Sequence, residues 1–167
     1  MSPNHCLQCG APLAPFQKGN RERLRCSGDG CGRIHYENPT PVVAGLVEHE
    51  GDVILVRNLG WPEGFYGLVS GFLERQESPE VGMLREVGEE LGLEAEIVSL
   101  IGVYTFDLRN ELIVAYHVRG RGSLRMGAEL AETKRVPPEK LRPWPLGTGP
   151  AVRDWLARRR LLHGPSQ

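Results

Sequence analysis

The 167-residue sequence lacks any long hydrophobic run, which excludes one large class of proteins. No segment approaches the roughly 20 consecutive apolar residues that a membrane-spanning helix needs. The first residues, MSPNHCLQCGAPLAPF, also lack the basic start and the apolar stretch of about 7 to 15 residues that mark a secretory leader. We therefore expect a cytoplasmic protein with no membrane partner.

An excess of charge of one sign is also missing. Twenty Lys and Arg residues stand against 21 Asp and Glu residues, so the formal net charge is −1. This balance gives no overall attraction to nucleic acid or anionic lipid, so a charged partner has to be bound by a local patch. With 40% hydrophobic residues, the chain is long enough for one good core and hardly for two. We expect one main domain with a small appendage.

Cysteine is scarce, and its residues lie close to the start of the chain, at Cys6, Cys9, Cys26 and Cys31. Structural disulfides are rare in a reducing compartment, so the spacing is better compared with metal sites. A C-x2-C pair followed by a C-x4-C pair, each with glycine at its turn, resembles a zinc ribbon. The predicted zinc is structural, because so short a segment cannot form its own core. Unligated thiols, a redox pair and a site in which His5 or His35 replaces one thiolate stay open.

Residues 1–35 form a locally basic segment with a charge of +3. Glu22 and Asp29 oppose five cations, which are Lys18, Arg21, Arg23, Arg25 and Arg33. Such a patch can contact phosphates, so nucleic acid is kept as a partner. The preferred interpretation is a solvated hairpin, because few aromatic residues are interleaved with the cations in the way that single-strand binding requires.

The remainder of the chain has the pattern of a mixed α and β domain. Apolar runs at 42–47 and 53–56 flank the turn-forming EHEGD and predict a β-hairpin. Further strands are predicted at GLV before Gly71, EIVSLIGVYTF and LIVAYHVRG, and helices over 79–91 and 151–161. This order predicts a mixed sheet covered on both faces. Because HYENPTP interrupts regular structure, we expect two domains, residues 1–37 and 38–167.

The stretch GFLERQESPEVGMLREVGEELGL, residues 71–93, predicts an acidic helix with clear ends. Ser78 suits the N-cap, Pro79 the first helical position and Gly92 the residue past the end. One side is expected to carry Glu86, Glu89 and Glu90, and the opposite side Val81, Met83, Leu84, Val87 and Leu91. Crowded carboxylates repel one another, and a divalent cation with a preference for oxygen ligands removes that repulsion.

The same stretch resembles the complete Nudix box. Seven specified residues and two aliphatic positions are in register: Gly71, Glu77, Arg85, Glu86, Val87, Glu89, Glu90, Gly92 and Leu93. Residues 38–146 resemble the family's domain in strand order, and the cysteine segment resembles its zinc-ribbon branch. The resemblance implies an α+β fold, namely a Nudix α/β/α sandwich with a mixed β-sheet after a small N-terminal zinc ribbon.

By this resemblance, the expected activity is hydrolysis of a nucleoside diphosphate linked to another moiety, with metal-activated water as the nucleophile. Glu86, Glu89 and Glu90 would bind Mg²⁺ or Mn²⁺ together with the Gly71 carbonyl, while Arg85 and Glu77 would brace the loop. The general base stays open between one of the adjacent glutamates and an acid in GAELAETKRV, where Glu132 is the candidate.

The substrate is expected to be a small nucleotide of the ADP-ribose, FAD or NADH class. NADH ranks lower, because the downstream proline and tryptophan signature of NADH pyrophosphatases is missing from YTFDLRNELIVAYHV. The candidate substrate contacts are Trp61, Tyr66, Phe72 and Phe106 for stacking and Arg57 and Arg109 for phosphate, although each aromatic residue alone is more typical of packing. An RNA-end pyrophosphohydrolase, a triphosphate-cleansing enzyme and a non-catalytic nucleotide sensor stay as alternatives, and a homodimer stays open.

Overall fold

The computed structural model describes residues 4–163, which divide into one compact unit ending at Pro39 and another beginning at Thr40. The first unit contains a three-stranded antiparallel sheet of order β1-β2-β3, with β1 at Leu13–Lys18, β2 at Arg21–Cys26 and β3 at Ile34–His35. Gly19, with φ of 62°, takes the left-handed conformation that the tight turn between β1 and β2 requires.

The second unit is a six-stranded mixed sheet with two helices. Its strands are β4 (Thr40–His49), β5 (Asp52–Asn58), β6 (Val69–Phe72), β7 (Glu94–Phe106), β8 (Glu111–Arg121) and β9 (Leu130–Val136). The order is β7-β8-β4-β5-β9, β6 pairs with β4, and β4 runs parallel to β8 while the other pairs are antiparallel. The helices are α1 (Pro79–Leu91) and α2 (Gly149–His163). Within residues 4–163, neither helix has the length and apolar character to cross a membrane.

Side chains of β4 alternate between two hydrophobic layers, as the period of a strand requires. One layer joins Val42, Ala44 and Leu46 to the α2 residues Ala151, Val152 and Trp155. The other layer joins Val43 and Val47 to the α1 residues Met83, Val87 and Leu91. Gly45 allows α1 to approach closely, because a Cβ there would lie 2.8 Å from Cε of Met83. The predicted α/β/α sandwich is therefore confirmed.

The predicted hairpin, the strands and α1 are all present, but one strand was not predicted and one expectation was wrong. The segment LAETKRV forms the unpredicted strand β9 at the sheet edge. Leu130 is its one buried residue, so its sequence has no apolar alternation. Val81 is 58% exposed, although it was expected on the apolar side of α1. On a helix with about 100° per residue, Val81 lies about 120° from Val87, outside the buried arc.

Candidate active site

Local capping sets the ends of α1 and therefore the positions of its acids. The Ser78 hydroxyl accepts a hydrogen bond of 3.3 Å from the Val81 amide, and Gly92 ends the helix with φ of 63°. Gln76 adopts φ of 67°, a left-handed conformation that favours glycine, and it occupies a box position where glycine is usual. The backbone at Gln76 is therefore slightly strained just before the helix begins.

Arg85 connects the loop before α1 to the acids of the helix. Its Nε and Nη2 donate to the two carboxylate oxygens of Glu77 at 2.8 and 3.0 Å. Its Nη1 donates to Glu86 at 2.7 Å and to Glu89 at 3.0 Å, and Nη2 also donates to the Phe72 carbonyl at 3.1 Å. The Arg85 hydrogen bonds, with the Glu74 amide, lower the pKa of Glu77 to about 2. This bidentate geometry holds the loop against the helix.

Glu90 is a buried carboxylate without a full set of partners. It is 5% exposed, and its Oε2 has no hydrogen-bond partner. Burial raises its pKa to about 8, and the charges of Glu86 and Glu129 add to this effect. On the helix, Glu90 lies about 20° from Met83, so Glu90 lies within the apolar arc, whereas Glu89 is 62% exposed. An ionised carboxylate in this position needs a cation to offset its lost hydration.

Glu86 and Gly71 form a cradle beside Glu90. Strand β6 places Gly71 opposite Val43 of β4, on the side of the sheet that α1 covers. A Cβ on Gly71 would collide with the Glu86 carboxylate. Burial raises the pKa of Glu86 despite its bond to Arg85. A hard divalent cation prefers oxygen ligands. This site offers them, namely the unpartnered Oε2 of Glu90, the neighbouring carboxylates and the backbone carbonyl of Gly71.

These acids form one wall of a cavity of about 630 Å³, whose other lining residues include Trp61, Phe72, Arg109, Glu111 and Glu129. Glu129 lies just before β9, and its charge contributes to the raised pKa values of Glu86 and Glu90. Glu132, the acid expected from this segment, is instead paired with Arg57 across the β5 and β9 strands at 3.3 Å. Neither Glu132 nor Arg57 lines this cavity. Both residues, which were expected at the site, therefore lie outside this cavity.

An aromatic cavity of about 380 Å³ adjoins the acidic one. Its ring-bearing walls are Trp61, Phe65, Tyr66, Phe106 and Trp144. Trp61 and Phe65 contact edge to face with ring centroids 5.3 Å apart. The two cavities share Val42, Trp61, Ser70, Arg109 and Glu111, so they form one continuous cleft. Tyr66 and Phe106 thus lie in the aromatic part, Phe72 in the acidic part and Arg109 in both.

The residues that sequence reasoning missed at this cleft are Phe65, Glu111, Glu129 and Trp144. They come from four separate segments that meet only in the folded chain. The acidic segment around Glu129 was recognised, but the choice between its acids depends on where β9 begins. For the aromatic residues, no local motif distinguishes a cavity wall from ordinary packing.

The first unit contains a second candidate metal site. The sulfur atoms of Cys6, Cys9, Cys26 and Cys31 all lie within 4.8 Å of one another. The Cys6 to Cys31 and Cys9 to Cys26 distances are 3.8 and 3.3 Å, near the roughly 3.8 Å between sulfurs that tetrahedral zinc imposes. Hydrogen bonds from the Gln8 and Cys9 amides lower the pKa of Cys6 to about 7, which favours the thiolate. The four-thiol set fits zinc, and within residues 4–163 neither His5 nor His35 belongs to this cluster.

Comparison with known proteins identifies the family. The family model described as the NUDIX domain matches residues 38–158, most of the second unit. The chain belongs to the Nudix family of hydrolases. Its sequence is 34% identical over 114 residues to the NAD-capped RNA hydrolase NudC of Mycobacterium tuberculosis, which covers 66% of this chain and 34% of the relative. NudC of Pseudomonas aeruginosa is 31% identical over 113 residues, covering 67% of this chain and 39% of the relative. The matches therefore span well under half the length of these relatives.

Solved structures show the same Nudix fold. A NUDIX hydrolase from Nitrosomonas europaea has a TM-score of 0.79 and 24% identity, and the match covers 97% of this chain and 94% of the other. An ADP-ribose pyrophosphatase from Streptococcus suis has a TM-score of 0.60 and 20% identity, covering 74% and 93% of the two chains. At these identities the likeness concerns the fold.

Proposed function

We propose that this Nudix protein hydrolyses the diphosphate bridge of an adenosine diphosphate conjugate, with water as the nucleophile and a divalent cation as cofactor. The observation that carries the proposal is the continuity of an acidic cavity with an aromatic one. The acidic part suits a diphosphate neutralised by cations, and the aromatic part suits a stacked base. Arg109 lines both parts and can donate to a phosphate between them.

The cation ligands in this proposal are Glu86, Glu89, Glu90 and the Gly71 carbonyl. Magnesium or manganese bound there supplies charge neutralisation on the phosphates and a lowered pKa for water. Arg85 and Glu77 are positioning residues, because their ion pair holds the loop against α1. Glu129 approaches the same wall from the β9 side and is the acid of its segment that reaches the cavity, so we assign it to orienting the attacking water.

The aromatic cavity favours conjugates of adenosine among diphosphate compounds. Its volume of about 380 Å³ and its ring-bearing walls suit a purine with its ribose outside. ADP-ribose, FAD and NADH share the adenosine diphosphate half and differ in the second moiety. Cleavage within the bridge releases AMP and the phosphorylated second moiety. The aromatic cavity accounts for the shared half alone, so the choice among these substrates depends on groups outside it.

Hydrolysis of NAD-capped RNA is a second candidate, favoured by the similarity to the two NudC proteins over 113 and 114 residues. The chemistry is the same, because an NAD cap also contains an adenosine diphosphate joined to a second moiety. The candidates differ on the adenosine side of the bridge, because the RNA chain of a capped RNA continues from the adenosine ribose, whereas the small conjugates end there.

A substrate panel separates the candidates. ADP-ribose, FAD, NADH, NAD-capped RNA and ATP are compared by kcat/KM with Mg²⁺ and with Mn²⁺, and products are identified after reaction in ¹⁸O-labelled water. We expect AMP from the small conjugates and 5′-monophosphorylated RNA from the capped RNA, with the ¹⁸O label in one of the two phosphorylated products of each. An excess above about tenfold for capped RNA selects the second candidate, since that corresponds to roughly 1.4 kcal/mol of transition-state binding. Preferred release of pyrophosphate or inorganic phosphate from ATP contradicts both.

Trp61 offers a test of base recognition within the same panel. We expect Trp61→Leu to raise KM about tenfold for the adenosine conjugates with kcat nearly unchanged, because the stacking surface is lost while the acids stay in place. Leu108→Ala is the matched control, since Leu108 is 76% exposed and lines neither cavity. Equal KM values for Trp61→Leu and the wild type would place the base elsewhere.

A further inference from the structure

The sheet of the first unit collects its cations on one face. Directly paired residues share a face, and the pairs Phe16 with Arg23 and Lys18 with Arg21 lie at alternate positions of β1 and β2. Arg25 follows Arg23 by two residues and therefore joins them. Tyr36, just past β3, belongs to the same side because Lys18 and Arg23 contact its ring. The basic face is defined by Phe16, Lys18, Arg21, Arg23, Arg25 and Tyr36.

The opposite face of this sheet has a different composition. Glu22, Leu24 and Cys26 occupy the alternate positions of β2, and Arg33 stands opposite Cys26 through a backbone hydrogen bond. Glu22 is the single acid within the three strands, and it lies on this other face. Cations and an acid are mixed along the sequence, but in the sheet four cations lie on one face, and no acid of the three strands lies on that face.

Aromatic rings are interleaved with these cations, contrary to the sequence-based expectation. The Arg25 guanidinium lies 5.0 Å from the Phe16 ring centroid. Lys18 Nζ and the Arg23 guanidinium lie 5.0 and 5.4 Å from the Tyr36 ring centroid, and Lys18 also donates to the Tyr36 hydroxyl. Phe16 and Tyr36 are far apart in sequence, and β2 brings them among the cations. Tyr36 is 41% exposed, so part of its surface faces solvent.

We propose that the basic face binds single-stranded nucleic acid. The four cations provide contacts to successive phosphates, and the rings of Tyr36 and Phe16 provide stacking surfaces for unpaired bases. A guanidinium stacked on a ring can still donate the N–H groups of its edge to phosphate. In Arg23, Nη1 already donates to the Tyr36 carbonyl, so the remaining N–H groups are the ones left for phosphate. A duplex hides its base faces and leaves the rings unused, and an anionic lipid surface calls for apolar side chains that insert beside the cations. This proposal does not depend on the substrate of the hydrolase unit.

The test uses the 167-residue chain purified with zinc, and fluorescence anisotropy with labelled oligouridylate of about 20 nucleotides. We expect the double variant Arg23→Ala, Arg25→Ala to weaken binding tenfold or more and to reduce the salt dependence, with a slope change of about 0.7 per lost phosphate contact. Tyr36→Leu is expected to weaken binding about fivefold or more at unchanged salt slope, because it removes stacking without removing charge.

Arg33→Ala is the matched control. It removes one positive charge from the same small unit, but Arg33 belongs to the other face and donates to Gln8 at 3.1 Å. The affinity of Arg33→Ala for the oligonucleotide is expected to stay within about twofold of the wild type. Loss of the Arg33 side chain removes only a distant charge that salt screens. Zinc content and the thermal transition are measured for every variant, so that loss of the fold is separated from loss of contacts.

Several outcomes decide the proposal. Oligouridylate and oligothymidylate binding with the stated variant pattern supports it, since both present phosphates and unpaired bases. Equal weakening by Arg33→Ala and by single Arg23→Ala overturns it, because binding then follows net charge. Tighter binding to a duplex of the same length, or to vesicles of anionic lipid with the same variant pattern, also overturns it. A Tyr36→Leu variant with wild-type affinity removes the stacking component and with it the preference for single strands.

Discussion

The two units of this chain are stabilised by different physical means. In the unit from Thr40 onward, apolar side chains such as Leu46, Ile54 and Met83 are fully buried in two layers on either side of the sheet. Among residues 4–39, the buried hydrophobic residues are Cys6 and Cys26. Apolar burial supplies most of the stability of an ordinary domain, so we expect metal ligation by the four cysteines to stabilise the first unit.

This difference explains where each unit can carry charge. The large apolar layers of the second unit offset the cost of an unpaired buried carboxylate, so Glu90 can be kept ready for a cation. The first unit lacks apolar layers that could offset the cost of a buried charge, and its charged side chains lie on the exposed surface of the sheet. The proposed catalytic cavity therefore lies in the unit with an apolar core, and the proposed binding face lies in the unit without one.

Removal of zinc is expected to have the largest effect. We expect about one zinc per chain after dialysis, and a strong chelator to abolish hydrogen-exchange protection in β1 to β3 while α1 and β4 to β9 stay protected. Mass spectrometry of exchange and metal analysis measure both results. Cys9→Ser is expected to reproduce the loss with little change in turnover of small substrates. Absence of zinc from protein purified without chelator would contradict the idea that metal stabilises the first unit and apolar burial the second.

Loss of a charge from the acidic cavity is expected to affect activity without unfolding the second unit. Glu86→Gln and Glu90→Gln should each lower kcat about a hundredfold or more, because each removes a ligand charge from the cation site. Glu94→Gln is the control, since Glu94 is exposed and outside the cavity. The measurement is kcat at saturating Mg²⁺ with circular dichroism of each variant. Turnover near wild type in either cavity variant would exclude this wall as the catalytic site.

Burial of Glu90 also predicts how stability depends on pH in the absence of cations. The folded pKa of about 8 is above the ordinary 4.5, so the folded state holds this proton more tightly. The stabilisation is present below about pH 4.5 and is lost as pH rises through 8. With EDTA, the free energy of unfolding should fall by on the order of 2 to 4 kcal/mol between pH 5 and 8.

Urea titrations at several pH values test this expectation. Glu90→Gln should flatten the decline, because the amide carries no charge, and millimolar Mg²⁺ should restore the wild type at pH 8. Glu77 contributes in a separate window, since its pKa of about 2 causes loss of stability only below about pH 4.5. A decline of equal size in Glu90→Gln would assign it to another group.

The smallest expected effect comes from comparing alanine substitutions at two glycines of the Nudix box. Gly71→Ala should lower kcat about tenfold or more, because its Cβ would meet the Glu86 carboxylate and displace it from the cation site. Gly88 directly precedes Glu89 on α1, but a Cβ at Gly88 meets nothing within 4 Å. Gly88→Ala should therefore raise stability by about 0.5 to 1 kcal/mol with activity unchanged. Thermal unfolding and kcat of both variants test this. A similar loss of activity in both would mean that the box is sensitive to any side chain.

The ends of α1 could be predicted because their signals are local. Ser78, Pro79 and Gly92 each act on the backbone within a few residues, and the helix begins and ends where they indicate. The two halves of the thiol cluster also follow from short spacings, since the C-x2-C and C-x4-C pairs each bring two thiols to one turn. The spacing of the box predicts which acids lie together for the same reason. Family, fold class and reaction type therefore depend on short-range patterns.

Long-range pairing decided what the local patterns left open. Glu129 and not Glu132 reaches the cavity because β9 begins at Leu130 and places Glu132 opposite Arg57. The aromatic cavity combines segments from Val42 to Thr148.

The basic face likewise arises only from the strand register, which places Phe16 opposite Arg23 and brings Tyr36 beside Lys18. The sequence by itself determined helix α1, the paired cysteines and the family of this protein, since these depend on residues a few positions apart. The tertiary structure alone decided which distant side chains share a cavity or a face. The alternation of a strand shows which of its own residues share a face, but the residues beside them are known only when the neighbouring strand and the register are set.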